Sequence, residues 1–222
     1  MKSNFALRCI TAVVAICTAA IGLGGCNSND ENKVSVTENL LASVQKSGDS
    51  PNYDFNDTVK KPEGYDNFVK KTGNMALQLL KQTDYTKINT VVSPVSTALS
   101  MASVENAVTK SAQKEIKNHL GKSNQTVEEI NSCAAYLTQR LEFFNNDNAG
   151  IFSVNSMWVS DKLSPKRSFL QKLENYYNVS AYETDFTNSK SNTLIKNYIS
   201  DYSKGLIDAK SVNTGYDYKL YI

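Results

Sequence analysis

The sequence predicts an α+β fold in which four helices and one short strand precede the first long strand. Apolar residues recur at three- and four-residue intervals between residues 65 and 144, which is the spacing of helices that bury one face. Ile151–Val159 is rich in β-branched and aromatic side chains, as strands are. Helical and strand patterns then alternate to about residue 203 without an internal repeat. This mixture of elements is typical of the α+β class.

Residues 1–25 are predicted to be a lipoprotein signal peptide that takes no part in the fold. A short basic start is followed by Cys9–Leu23, which is almost wholly apolar or small and too short to span a membrane comfortably. Leu23 to Cys26 reads Leu-Gly-Gly-Cys and resembles the bacterial lipobox, in which the cysteine receives the lipid. Cys26 is therefore the predicted lipid attachment site, and we expect an extracellular protein, secreted and lipid-anchored to the outer face of a bacterial membrane. An ordinary cleaved signal with an incidental cysteine is the alternative.

Residues 26–62 are predicted to be a flexible tether, because they are polar and contain a Gly-Asp-Ser-Pro stretch. Charge gives no sign of a nucleic-acid partner. Removing residues 1–25 takes Lys2 and Arg8 from the 24 basic residues and leaves 22 of them against 22 acidic residues. A chain without net charge has no electrostatic footprint for nucleic acid.

The first two predicted helices are separated by a short strand. Tyr65–Gln82 has its apolar residues at helical spacing, and Ile88–Val92 is a β-branched run. The strand ends at Ser93, which can cap the next helix, while Pro94 can occupy its first turn. That helix, Val95–Val104, is nearly free of charge and is therefore expected to be buried.

Two amphipathic helices follow. The first is Ser111–Leu120, which Gly121 ends, and the second is Thr126–Phe144. Thr126 and Glu129 have the spacing of a capping box. After the strand that begins at Ile151, the patterns predict a helix, a strand and a further helix, at Pro165–Tyr177, Val179–Phe186 and Ser191–Ser203.

The sequence contains no catalytic or metal-binding constellation. His119 is the only histidine, which excludes a multi-histidine metal site and leaves Ser93 and Ser96 without a plausible base. Cys133 is the only cysteine after Cys26 and lies on an apolar helical face, so it is expected in the core. We expect no enzyme activity, cofactor, metal or intramolecular disulfide.

Several short motifs occur in a fixed order from Tyr65 to the end of the chain. Val91–Met101 contains an apolar pair, then Ser-Pro-x-Ser, then Ala-Leu-x-Met, and Asn155–Trp158 reads Asn-Ser-Met-Trp. Further landmarks lie beyond these two segments, at Phe169, Tyr176, Tyr177, Asp185, Phe186, Ile195, Asn197, Tyr198, Ser203, Gly205 and Ile207. Their order and spacing resemble the N-terminal portion of a bacterial serpin, a member of the serpin family of protease inhibitors.

The resemblance implies a serpin-like N-terminal half, made of helices A–F, the first strands of sheet A and one strand of sheet B. Residues 63–222 would be a partial serpin domain, incomplete at the C-terminus and lacking the reactive loop. The sequence departs from the family at Glu105–Ser111, where the family has Gly-Ala-x-Gly-x-Thr and this chain has neither glycine. We therefore expect a remodelled turn after the buried helix.

The resemblance also implies that Ser93, Ser96 and Asn155 are shutter-like structural residues beneath the opening part of the large sheet. In the family, small hydroxyls at this place form hydrogen bonds and leave room for strands to part. A plainer interpretation is that Ser93 caps a helix and Ser96 is a small packing residue. The two interpretations are compatible.

The function implied by the resemblance is a cell-surface inhibitor of an extracellular serine-type endopeptidase. Serpin inhibition requires a reactive loop that inserts into the large sheet after cleavage. These residues lack that loop, so the chain by itself is expected not to inhibit. The alternatives are a non-inhibitory serpin-like fragment and a solute-binding lipoprotein, although the latter requires β-α alternation from its first strand.

Overall fold

A computed structural model describes residues 38–82, 91–146, 150–151, 153, 155–212, 214 and 218–222. The chain forms two compact units. The first unit holds the described residues between 46 and 153 together with Asn175–Tyr177, and the second holds the other described residues. The predicted signal peptide and Cys26 lie outside the described residues. Within the described part, no helix is long and apolar enough to cross a membrane.

The described part of the first unit is built from four helices, and the structure confirms all four predictions to within one residue at each end. The starts of the last three are set by side chains that accept hydrogen bonds from the first turn. At the last of them the predicted capping box is present, because the Thr126 N–H donates to Glu129 Oε2 over 2.7 Å and the Glu129 N–H donates to Thr126 Oγ1 over 3.1 Å. The helices are α1 (Tyr65–Gln82), α2 (Pro94–Glu105), α3 (Lys110–Leu120) and α4 (Val127–Phe143).

Helix α2 is buried along most of its length, as its lack of charge predicts. Its buried residues run from Ala98 to Glu105 with the exception of Ser100. The core of this unit contains side chains that are almost wholly shielded from solvent and come from all four helices, among them Phe68, Val104, Leu120, Ile130 and Cys133. Burial of side chains of this size supplies the main driving force for such a unit.

The turn between α2 and α3 shows why the family's glycines are not needed here. Asn106 follows α2 with an ordinary φ of −70°. Its side-chain amide donates to the carbonyl oxygens of Ala102 and Ser103 over 3.0 and 3.2 Å. These bonds satisfy carbonyls at the helix end that a left-handed glycine would otherwise serve. An asparagine side chain therefore closes this helix end, and the remodelling of the turn relative to the family stays a prediction.

Part of the segment predicted to be a flexible tether makes specific contacts in the structure. The rings of Tyr53 and Phe55 pack edge-on against Tyr136, with centroids 4.9 and 5.1 Å apart. The Tyr53 N–H donates to Gln139 Oε1, and Gln139 Nε2 donates to the Pro51 carbonyl, each over 3.0 Å. The structure thus differs from the prediction over residues 51–55, because two aromatic anchors are embedded in an otherwise polar sequence.

The second unit contains a four-stranded sheet. The strands are β1 (Glu38–Asn39), β2 (Asn155–Ser160), β3 (Val179–Thr184) and β4 (Leu220–Tyr221), with α5 (Arg167–Tyr176) between β2 and β3 and α6 (Ser189–Tyr202) after β3. Their order in the sheet is β1-β3-β2-β4. β2 and β3 are parallel and pair over six residues each, from Asn155 with Val179 to Ser160 with Thr184, whereas the other two pairings are antiparallel.

An aromatic cluster forms the core of the second unit. Trp158 on β2, Phe186 after β3 and Ile195 on α6 are buried together. The partly buried residues packed against them are Tyr182, Tyr198, Ile199, Tyr218 and Tyr221. The α+β class predicted from the sequence is confirmed, since helices and a mixed sheet occur in one chain.

Two of the predicted strands differ from what the described residues show. Ile88–Thr90 lie outside the described residues, and Val91 and Val92 are not in a strand. The first long strand begins at Asn155 rather than at Ile151.

Candidate functional site

The serine pair at the start of α2 is brought together by the capping geometry of the helix. Ser93 is extended and is followed by Pro94 in the first turn, so its side chain points back over that turn. Ser93 Oγ accepts from the Ser96 N–H over 3.3 Å, and the two hydroxyl oxygens lie 2.7 Å apart. The predicted cap at Ser93 is therefore present.

The surface around this pair is open. Ser93 and Ser96 are both exposed, and the neighbouring Val91 side chain is 95 % exposed. A valine at that level of exposure lies far from the usual environment of a β-branched residue. In the part of the chain that the structure describes, Ser96 is exposed rather than packed, and the pair lies on a surface that includes an apolar neighbour.

The third predicted site residue, Asn155, is the first residue of β2 and belongs to the second unit. It is half-buried and pairs in register with Val179 of β3. The residues after it on β2, from Met157 to Ser160, are all buried. Asn155 therefore stands at the point where β2 enters its sheet, and the shutter-like role of the three residues stays a prediction.

Nucleophilic chemistry has little support at these positions. His119, the only histidine, lies at the end of α3 on a different helix from the serine pair, and burial together with the charge of Lys71 lowers its pKa. Burial raises the pKa of the Cys133 thiol to about 12, which leaves it without the thiolate that reactive cysteines need. Among the described residues, no group of three or more His, Cys, Asp or Glu side chains could hold a metal ion.

Cys133 is buried in the core, as its place on an apolar helical face predicts. Its Sγ lies 3.4 Å from the Glu63 carbonyl oxygen, to which it can donate. Gln125 Nε2 donates to the same carbonyl over 3.0 Å and lies 3.8 Å from the sulfur. These contacts tie the loop before α1 to α4.

Replacement of Ser93 by alanine is expected to lower the free energy of unfolding by about 1 kcal/mol, since it removes the acceptor for the first turn of α2. Urea unfolding followed by circular dichroism measures this loss. Ser96→Ala is the matched control, because Ser96 contributes its backbone N–H to the cap and only its hydroxyl to the pair. An equal or larger loss in Ser96→Ala would contradict the assignment of Ser93 as the capping residue.

Sequence reasoning did not identify Glu105 as a residue of interest beyond its place in the altered turn. The structure buries this glutamate completely at the end of α2. The signal in the sequence was an acidic residue directly after a segment that is nearly free of charge.

Comparisons with known proteins agree on one family. The family model described as serpin (serine protease inhibitor) matches residues 70–214, a range that contains Ser93, Ser96 and Asn155. A comparison with curated protein sequences finds no match.

Among solved structures, the chain is similar to tengpin, a thermophilic serpin in its native state, with a TM-score of 0.63 and 22% sequence identity over 81% of this chain and 43% of that one. Glycosylated human kallistatin matches with a TM-score of 0.60 and 16% identity, over 68% of this chain and 42% of that one. Reactive-loop-cleaved human thyroxine-binding globulin matches with a TM-score of 0.60 and 19% identity, over 70% and 47%. The chain spans less than half the length of these proteins.

Proposed function

The chain belongs to the serpin family, and we propose that it forms the N-terminal part of a serpin that inhibits an extracellular serine-type endopeptidase. The observation that carries this proposal is the family match over residues 70–214, which includes α2 to α4, β2, α5, β3 and α6. The helix-first order of the chain favours the serpin over a solute-binding lipoprotein.

In this proposal the described residues supply the scaffold of the inhibitor rather than its reactive loop. Serpins trap proteases when the cleaved reactive loop inserts as a strand into a sheet. The parallel β2–β3 pair would belong to that sheet, and the serine pair of α2 would have the shutter-like structural role that the resemblance implies. The exposed Val91 beside Ser93 supports the proposal, because further parts of a complete serpin domain would cover such a side chain.

We also propose that the protein is anchored at the outer face of a bacterial membrane through lipid on Cys26. The support is the Leu-Gly-Gly-Cys sequence before a polar stretch. A lipid chain binds a bilayer by roughly 0.8 kcal/mol for each buried methylene group. The inhibitor would then meet its protease at the cell surface.

The experiment compares the complete serpin polypeptide with residues 27–222 alone. Each is incubated with trypsin-, chymotrypsin- and subtilisin-type proteases, and complexes that resist boiling in detergent are sought by electrophoresis. We expect such a complex with the complete polypeptide and none with residues 27–222, because insertion requires the reactive loop. The same proteases with a chemically blocked catalytic serine serve as the control and are expected to form no complex.

Two outcomes would contradict parts of the proposal. A covalent complex with residues 27–222 would show that the trapping element lies within them. Cleavage of the complete polypeptide by every protease without any complex would favour a second candidate, a non-inhibitory serpin. One observation favours that candidate: one of the similar structures is thyroxine-binding globulin in complex with a thyroxine derivative.

A further inference from the structure

Glu105 is a buried acid whose carboxyl group lacks the hydrogen bonds that such a group normally requires. The residue is 0 % exposed, and neither of its carboxyl oxygens has a hydrogen-bond partner. Lys117 Nζ, on α3, lies 4.0 Å from Glu105 Oε1, beyond the distance of a good charge-assisted bond. A carboxylate in such a place is costly, because burial removes its water and the protein replaces little of it.

The polar groups next to Glu105 are, by contrast, well paired. Asn106 and Asn131 exchange two amide hydrogen bonds, each 2.9 Å long. The Tyr177 hydroxyl donates to Asn131 Oδ1, and Gln113 Nε2 donates to the backbone carbonyl of Glu105 over 3.0 Å. The fold therefore satisfies the amides of this turn and leaves the acid unsatisfied.

Charged and titratable groups face the carboxyl group from the elements packed around it. Burial raises the pKa of Glu105 to about 7; Lys117 on α3 opposes this effect and Glu128 on α4 adds to it. Tyr177 also acts on this region, but burial holds the pKa of its hydroxyl well above the usual value, so it stays neutral. The balance between a neutral and a charged Glu105 thus depends chiefly on burial and on Lys117.

We propose that Glu105 and Lys117 form a pH-sensitive switch in the turn between α2 and α3. The observed packing accommodates the neutral acid. Loss of the proton leaves a carboxylate that is stabilised only by moving toward Lys117, whose side chain is 18 % exposed. This movement of the Glu105 side chain loosens the turn. The switch goes beyond protease inhibition and does not depend on it.

The direction of the pH effect follows from the two states of the chain. Unfolded Glu105 loses its proton near pH 4.5, whereas the folded chain retains it to about pH 7. Its contribution to stability is therefore fully present below pH 4.5 and is lost as the pH rises to 7. The folded and unfolded chains then bind the same number of protons at this site, and the effect levels off.

The experiment measures urea unfolding of the chain between pH 4 and pH 9 by circular dichroism, with Glu105→Gln as the test variant. Glutamine keeps the shape of the neutral acid and cannot ionise. We expect the unfolding constant of the wild-type chain, relative to that of Glu105→Gln, to rise by about 100-fold between pH 4.5 and pH 8. Glu115→Gln, on the exposed face of α3, is the matched control and should follow the wild type. Parallel curves for the wild type and Glu105→Gln would overturn the proposal.

A second variant tests the role of Lys117. Lys117→Met removes the positive charge that favours ionisation of Glu105, so the pH midpoint of the loss should move upward, and an unchanged midpoint would overturn the pairing of the two residues. If Glu105→Gln fails to fold, the proposal is tested instead by following the carbon-13 NMR signal of the Glu105 carboxyl group in the wild-type chain as the pH changes. A midpoint near 7 supports the switch, and a midpoint near 4.5 overturns it.

Discussion

Replacement of Asn131 by leucine is expected to lower the free energy of unfolding by roughly 3–5 kcal/mol, because each buried polar group that loses its partner costs about 1–3 kcal/mol. Asn131 is 0 % exposed. It accepts from Asn106 and from the Tyr177 hydroxyl and returns a hydrogen bond to Asn106 Oδ1. Leucine fills a similar volume but removes the acceptor for two donors and the donor for the half-buried Asn106 Oδ1.

Urea unfolding followed by circular dichroism measures this loss, with Asn118→Leu as the control. Asn118 lies on the exposed face of α3, so the same substitution there should change stability by less than about 0.5 kcal/mol. The double variant Asn106→Leu with Asn131→Leu should lose less than the sum of the two single variants, since the amides are partners. A loss below about 1 kcal/mol in Asn131→Leu would contradict the network and favour simple packing.

Replacement of Trp158 by alanine should cost about 3–5 kcal/mol of stability, which is the range for removing a large aromatic side chain from a core. Trp158 is buried with Phe186 and Ile195, and its ring lies 4.7 Å from Tyr182 and 5.5 Å from Tyr198 between centroids. Alanine leaves a cavity bordered by rings on β3 and α6, which limits how far the site can collapse.

Circular dichroism is the appropriate measurement, because Trp158 is the only tryptophan and its fluorescence disappears with it. Trp158→Phe keeps a ring in the cluster and should lose less stability than Trp158→Ala. Tyr202→Ala, which truncates an exposed ring of α6, should have a small effect. Equal losses in the alanine variants of Trp158 and Tyr202 would contradict a core role for the tryptophan.

The helices could be predicted closely because their signals are local. The start of α2 follows from Ser93 and Pro94, and the start of α4 follows from Thr126 and Glu129. Each signal lies within four residues of the helix start, where side chain and backbone meet without help from distant parts of the chain. The serpin motifs then added the order of elements, and the family assignment is confirmed.

The start of the first long strand could not be predicted, because it depends on a partner elsewhere in the chain. Asn145 binds both backbone groups of Ile151, with its Nδ2 donating to the carbonyl over 2.8 Å and its Oδ1 accepting from the N–H over 2.6 Å. This clamp uses the groups that a strand would need for its ladder. The pattern of side chains along the sequence does not show that another side chain takes the backbone groups a strand would use.

In the candidate site, too, some features could be predicted from the sequence and others could not. The contact between Ser93 and Ser96 follows from their spacing at a helix start, whereas complete burial of Glu105 goes against the usual surface preference of glutamate. Only the packing of α3 and α4 around the end of α2 produces that burial. Short β1 likewise lies in a polar segment whose pairing with β3 is not encoded in its two residues.

The hydrogen bond between Tyr177 and Asn131 has a consequence for biosynthesis. The two residues are 46 positions apart, and at about 5–20 residues per second the ribosome needs roughly 2–9 s to pass from one to the other. The amide of Asn131 can pair with Asn106 soon after it emerges, while its tyrosine has yet to be made. Tyr177 can therefore complete this polar centre only after α2 and α4 have been synthesised.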